Sequence, residues 1–302
     1  MQRKIIQSAI NISNSDEKII NDMIKEIGQI PECLIADFSS DIDHNRSVIS
    51  LLGNEKSLTQ AVFAIFEIAV ETIDISHHQG EHPRMGAVDV IPFTPWGGAT
   101  RQDCIALAQS VGKEIAQKYL IPVYLYGEAA LVPEHEDLSR LRRGGYERLL
   151  QEINRIADRK PDFGPSRVHP TLGAVAIGAR NPLVAFNVNL KTTDINIAKE
   201  IAKRIKGESG GLAKVKAIGV NLKSRNLVQV SINLLNYRMS TVVQAYELVK
   251  IEARRYGVEV QGSEIIGLVP LECLVDIASF YLSIPNLKIS QVLEYNFLEN
   301  FD

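Results

Sequence analysis

The chain switches hydrophobic period in a fixed order, and it does so twice. "IIQSAINI" (residues 5–12) alternates like a half-buried strand, and Asp16 to Ile27 then places Ile19, Ile20, Met23, Ile24 and Ile27 at helical spacing. "CLIADFSSD" and "SVISLLG" read as two strands joined by a short polar return, Leu58 to Ile73 as an apolar helix, and "AVDVIPF" as a fourth strand. A helix from Asp103 to Tyr119 and a strand "IPVYLYG" follow. Strictly alternating strands and helices would signal a Rossmann sheet, but the return near residues 40–52 breaks that alternation. The pattern predicts an α/β (α+β) chain with mixed or antiparallel sheets and helices packed on one face, in the ferredoxin-like style.

Residues 131–172 are rich in Pro and Gly around one expected helix, Tyr146 to Ala157, and end in the long irregular stretch "DRKPDFGPSRVHPTLG". A second round then reads "AVAIGA", "LVAFNVNL", a helix at Asp194–Lys206, "KAIGVNL", "LVQVSINLL", a helix at Thr241–Tyr256, a strand in "VEVQGSEIIGLVP" and a helix at Leu271–Tyr281. With 302 residues, two domains are expected, at 1–180 and 181–302.

A net charge of −3 offers no basic field for a nucleic-acid backbone. Cys33, Cys104 and Cys273 lie far apart without CxxC spacing, which predicts free thiols. The N-terminus turns polar too early for a signal peptide, and no apolar run reaches the ~18 residues of a membrane span. A cytoplasmic protein is expected.

The densest polar cluster is "GEHPRMGAVDVIPF", where Glu81, His82 and Arg84 precede a core strand. His77, His78 and His82 invite a metal reading, but their spacing and Pro83 forbid two rings on one continuing helix, so no metal site is expected. Imidazole is poised near neutral pH, and Pro83 restricts the backbone of His82, so His82 is the acid–base candidate. Glu81 offers it support and Arg84 a planar fork for an anion. "DIDHNRSVISL" carries Asp43 and Arg46 and reads either as part of the same site or as a capped turn with surface charge. "GPSRVHPTLGA" reads either as a rigid ligand loop or as a linker. "IKGESGGLAK" fits neither glycine-rich nucleotide fingerprint.

"HHQGEHPRMGAVDVIPF" resembles the central signature of the formiminotransferase domain family. "DIDHNRSVISLLG", "IPVYLYGEAA", "PDFGPSRVHPTLGAVAIGAR", "LVAFNVNL" and "GSEIIGLVP" support the resemblance in the same order along the chain. It implies two similar ferredoxin-like subdomains, commonly in a homodimer. It also implies transfer of the formimino group from N-formimino-L-glutamate to tetrahydrofolate, a co-substrate, as a step of histidine degradation. By the same resemblance His82 is the catalytic residue. The folate-binding loop falls on Gly164, Pro165, Ser166, Arg167, Val168, His169, Pro170, Thr171, Leu172 and Gly173. Asp37, Asp43 and Glu81 are candidate carboxylates beside the reacting amidinium, and Arg46, Arg84 and Arg167 suit the glutamyl ends of the substrates.

Two stretches depart from the family pattern. "AINISNS" keeps Asn11 and Ser13 but replaces its neighbours, and "TPWGGAT" replaces an aliphatic turn. A cyclodeaminase domain is not expected, which leaves any cyclisation of the product to a separate protein. Formyl transfer from 5-formyltetrahydrofolate to glutamate, and folate binding without turnover, are the two alternatives.

Overall fold

The computed structural model describes residues 4–81 and 83–296, and these divide into two compact units, one up to Asn181 and one from Pro182. In the first, β1 (Ile5–Ile12), α1 (Glu17–Ile27), β2 (Cys33–Asp41), β3 (Arg46–Gly53), α2 (Glu55–Thr72) and β4 (Val88–Trp96) form a βαββαβ unit. α3 (Arg101–Tyr119), β5 (Val123–Gly127) and β6 (Val175–Ala179) extend it. The sheet order is β2-β3-β1-β4-β6-β5. The four strands of the ferredoxin-like part pair antiparallel, and β6 pairs parallel with both β4 and β5.

Local chemistry explains the helix starts. Asp16 accepts the Lys18 and Ile19 N–H groups at the head of α1, and Thr100 and Asp103 form a capping box on α3. Ile20, Met23 and Ile27 then bury one stripe of α1 against a core that contains Phe66 and Phe93. Burying each such ring is worth about 1.5–3 kcal/mol.

The second unit repeats the topology with β7 (Val184–Leu190), α6 (Ile195–Ile205), β8 (Val215–Leu222), β9 (Leu227–Leu234), α7 (Val242–Arg255) and β10 (Val260–Ile266), closed by α8 (Leu271–Tyr281). Its order, β10-β7-β9-β8, is all antiparallel and is the same arrangement as the first four strands of unit one. The expected pair of similar ferredoxin-like subdomains is therefore present.

Three details differ from the sequence reading. "AVAIGA" does not open the second round, because its strand inserts between β4 and β5 of the first sheet. The helix expected at 146–157 is α5 (Gly145–Glu152), preceded by the short α4 (Leu138–Leu141). This α4–α5 hairpin adds a layer to the one-faced helix packing: Leu141, Tyr146, Leu149 and Ile153 cluster with Val90, Tyr124, Tyr126 and Ala176. Val123 and Leu125, which alternate with those tyrosines on β5, belong instead to the α1–α3 core. Cys104 and Cys273 are buried free thiols, and Cys33 is part-buried.

Candidate active site

His82 lies outside the described residues, and the residues on either side of it are held by a dense set of hydrogen bonds. The turn between β2 and β3, with Asn45 in the left-handed region, does the first part. The Glu81 N–H donates to the Asp43 carbonyl (3.1 Å), and Asn45 Nδ2 donates to the Gln79 carbonyl (2.9 Å). His78 Nε2 donates to the Asn45 carbonyl (2.9 Å), and its Nδ1 accepts from Arg84 Nε (2.9 Å). An arginine N–H at Nδ1 requires that nitrogen to be bare, so His78 is neutral with its proton on Nε2. Burial is the main cause that holds its pKa below the usual histidine value. His77, by contrast, is exposed beside Asp74.

Arg84 does not present an open fork to an anion in this structure. Its two terminal nitrogens reach both oxygens of Glu147 on α5, at 3.0 and 2.6 Å. A bidentate, charge-assisted pair of this kind fixes orientation as well as position. It also draws the Glu147 carboxyl below the ordinary carboxylate range.

Under this layer sit buried charges. Asp89, at the start of β4, accepts the Met85 N–H at 2.7 Å and pairs with Arg142 at 2.9 Å. Arg142, the residue that ends α4, also donates to the Pro83 carbonyl. Arg46 donates to Asn11 Oδ1. Loss of solvation, with Arg142 close by, lowers its pKa to about 10, so it stays cationic at neutral pH. Its Nε is buried and has no hydrogen-bond partner among the described residues.

The 164–173 loop is laced to the same place. The Ala87 N–H donates to the Leu172 carbonyl (2.9 Å), Ala174 N–H to Met85 (3.0 Å), and Ile75 N–H to Thr171 (2.8 Å). Gly86 and Gly173 face each other across a bridge. A Cβ on Gly86 would lie 1.9 Å from the Ala174 carbonyl oxygen, and one on Gly173, at φ +73°, would lie 2.4 Å from that of Met85. Only glycine permits this approach. Val168 and Leu172 anchor the loop in the interior, and His169 Nδ1 accepts the Leu172 N–H (3.1 Å). Ser166, Arg167 and Pro170 are left on the surface with Gly164, while Pro165 is part-buried.

The departing "AINISNS" stretch borders the site through hydrogen bonds of its own. Ser13 N–H donates to the Ala87 carbonyl (2.8 Å) and its hydroxyl to that of Gly86 (2.7 Å). Asn11, Ser13, Asn45, Arg46, His78, Arg84 and Asp89 thus converge, together with the carbonyl side of Asp43 and the backbone of Pro83. Asp37 does not join them. It sits opposite Ser50 on the edge strand β2, whereas Arg46 pairs with Asp41. Four residues of strand place it about 13 Å down the ladder.

The second unit holds a polar cluster that the sequence reading missed. Gln229, fully buried on β9, donates to Asn189 (2.9 Å) and Glu264 (2.8 Å), and Asn187 donates to the same Glu264 oxygen (3.3 Å). Asn187 and Glu264 are register partners on β7 and β10. The family stretches "LVAFNVNL" and "GSEIIGLVP" therefore meet side by side, and these polar residues alternate with the apolar ones that line the α6–α7 core.

Among the described residues no group of three or more His, Cys, Asp or Glu side chains is placed to hold a metal ion, and no helix is long and apolar enough to cross a membrane. Residues 5–180 match the family described as formiminotransferase domain, N-terminal subdomain, and residues 185–295 match the formiminotransferase domain. A glutamate formimidoyltransferase of Streptococcus pyogenes serotype M1 is 42% identical, over 98% of this chain and 99% of its own. One from Thermoplasma acidophilum is 42% identical over 96% of both. A formimidoyltransferase-cyclodeaminase of Rattus norvegicus is 38% identical over 92% of this chain and 52% of its own length.

Proposed function

We propose that this chain, which belongs to the formiminotransferase domain family, is a glutamate formimidoyltransferase. It moves the formimino group of N-formimino-L-glutamate to N5 of tetrahydrofolate and releases L-glutamate, a step of histidine degradation. The observation that carries this reading is the lacing of Thr171–Ala174 to Ile75 and Met85–Ala87. It supports a folate loop set directly beside the reactive turn.

In the proposed reaction the N5 lone pair attacks the protonated amidine carbon, and a new C–N bond forms as N5 gives its proton to His82. The tetrahedral intermediate then expels the glutamate nitrogen. The old C–N bond breaks as the His82 imidazolium returns a proton to the leaving amine, which restores the neutral ring. One positioned imidazole serving as base and then acid contributes ~10²–10⁴ in rate. Holding both substrates in line adds the entropic advantage of an intramolecular reaction. Arg46, whose Nε has no hydrogen-bond partner among the described residues, suits a substrate carboxylate, and the exposed Arg167 suits the anionic tail of the folate. Glu81 and Asp43, joined by the Glu81 N–H to the Asp43 carbonyl, are the carboxylates assigned to stabilise the amidinium. Arg84, closed on Glu147, acts through its hold on the turn. The reading extends to a cytoplasmic location and to a homodimer, the latter checked by sedimentation of the purified protein.

The test is turnover by purified protein with tetrahydrofolate and formiminoglutamate, in the presence of a chelator, beside 5-formyltetrahydrofolate with glutamate. Preferred turnover of the formimino donor is expected, and a preference for the formyl donor would replace this reading with formyl transfer. His82→Ala is expected to lower kcat by ~10²–10⁴ with little change in folate affinity. Near-normal turnover by a folded His82→Ala protein removes the acid–base role.

A further inference from the structure

The α4–α5 hairpin lies between β5 and β6 in sequence and on the opposite sheet face from α1–α3 in space. It crosses the reactive turn at several points. From the end of α4, Arg142 donates to the Pro83 carbonyl and pairs with buried Asp89, which in turn takes the Met85 N–H. From α5, Glu147 grips both terminal nitrogens of Arg84. Tyr146, one residue before, is buried and sends its hydroxyl toward the Pro170 carbonyl of the 164–173 loop (3.4 Å). Three consecutive residues after His82 are thus held through one short hairpin, which also touches the loop assigned to folate.

We propose that the α4–α5 hairpin is a brace that sets the geometry of the reactive turn, with Glu147 and Arg142 as its positioning residues. Neither residue needs to touch a substrate for this role. Glu147 orients Arg84, and Arg84 Nε in turn fixes the neutral His78 that is bonded to the β2–β3 turn. The chain of contacts runs Glu147, Arg84, His78, Asn45, and it ties the two sides of the site together. The consequence is specific: a displacement of about 1 Å at a reacting group costs on the order of 10²-fold in rate, while binding of substrates is spared. The proposal rests on the transferase reading for its kinetic readout, but not for its structural one.

Arg142 is a poor first target, because its loss leaves the buried Asp89 carboxylate without its counter-charge. The Glu147 side chain is 63% exposed, so its replacement should be mild for stability. The experiment compares wild type, Glu147→Ala and Glu147→Gln by steady-state kinetics, thermal unfolding and native-state hydrogen exchange. Expected for Glu147→Ala are a kcat lower by ~10–100-fold, KM values for both substrates within about threefold, and an almost unchanged melting temperature. Glu147→Gln keeps one acceptor for Arg84 and should fall between. Exchange at the Met85 and Ala87 amides should rise about tenfold or more in Glu147→Ala. A kcat within twofold of wild type overturns the brace, and so does a raised KM at unchanged kcat, which would make Glu147 a substrate contact. Unchanged exchange overturns it independently. If wild type itself shows no turnover with these substrates, the transferase reading fails while the exchange measurement still decides the brace.

Discussion

Asp89→Ala is the substitution whose effect the structure sizes best. The Asp89 side chain is 3% exposed and its partner Arg142 13%, at 2.9 Å. Removing the carboxylate leaves a guanidinium with little access to water, a change that typically costs about 3–5 kcal/mol. It also orphans the Met85 N–H, within the same total. Spread over a unit of 181 residues, at about 2–4 °C per kcal/mol, the melting temperature of that unit should drop by roughly 6–20 °C. Adding Arg142→Met to Asp89→Leu removes both charges and fills the space with apolar atoms. That double variant should recover part of the loss, short by about 1 kcal/mol each for the bond to the Pro83 carbonyl and the bond from the Met85 N–H. Urea unfolding followed by circular dichroism at pH 7, arranged as a double-mutant cycle, reads the coupling directly. A single variant that melts within 2 °C of wild type, or a cycle with no coupling, refutes the assignment of Asp89 and Arg142 as a buried pair.

Gly173→Ala tests the close approach of the two loops. At φ +73° with a carbonyl oxygen 2.4 Å from the new Cβ, it should cost about 1–2 kcal/mol in backbone strain alone, plus the clash, and weaken folate binding. Unaltered folate affinity in calorimetry would show that the lacing to Met85 is dispensable. His78 provides a pH test. It is held neutral among Arg84, Asp89, Glu147 and the Asn45 carbonyl, with its pKa lowered chiefly by burial. The unfolded chain therefore binds the extra proton first, and the stability due to neutral His78 is present above its ordinary 6.5 and lost as the pH falls below it. His78→Gln, which cannot titrate, should flatten the acid-side fall in urea stability. Parallel curves for the two proteins would contradict the assigned tautomer.

The elements were legible wherever an apolar period repeats. Cys33–Asp41 opens on a short apolar run and then meets the polar return, so its strand has the bounds the sequence suggests. Leu271–Tyr281 follows Pro270, which cannot continue a helix backward, and its limits also agree. Period says nothing about partners, however. Val175–Ala179 is a short, fully buried strand, and its sequence is equally at home at the head of a new sheet or in the middle of an old one. The parallel pairing that settles its place depends on two strands already laid down at residues 88–96 and 123–127. The helix at Gly145–Glu152 stops early because Ile153 is its last inward residue and the following residues turn outward.

The supports of the site were illegible for a different reason. An apolar stripe announces itself by recurring, but a hydrogen bond between side chains needs only one residue from each of two distant stretches. Arg142 and Pro83 are 59 residues apart, Glu147 and Arg84 63, and Gln229 and Glu264 35. In "LRRGGYERLL" Arg142 and Glu147 look like the solvated side of a short helix, the reading that a lone charge in an amphipathic segment ordinarily earns. What distinguishes them is the geometry beneath: a glycine-containing turn between α4 and α5 that aims one charge at a buried carboxylate and the other at a guanidinium already tied to His78. The reactive turn could be picked out by its density of polar residues against a core strand. The groups that hold it still carry no such density, because each acts from its own element and they meet only when the hairpin folds back over β4.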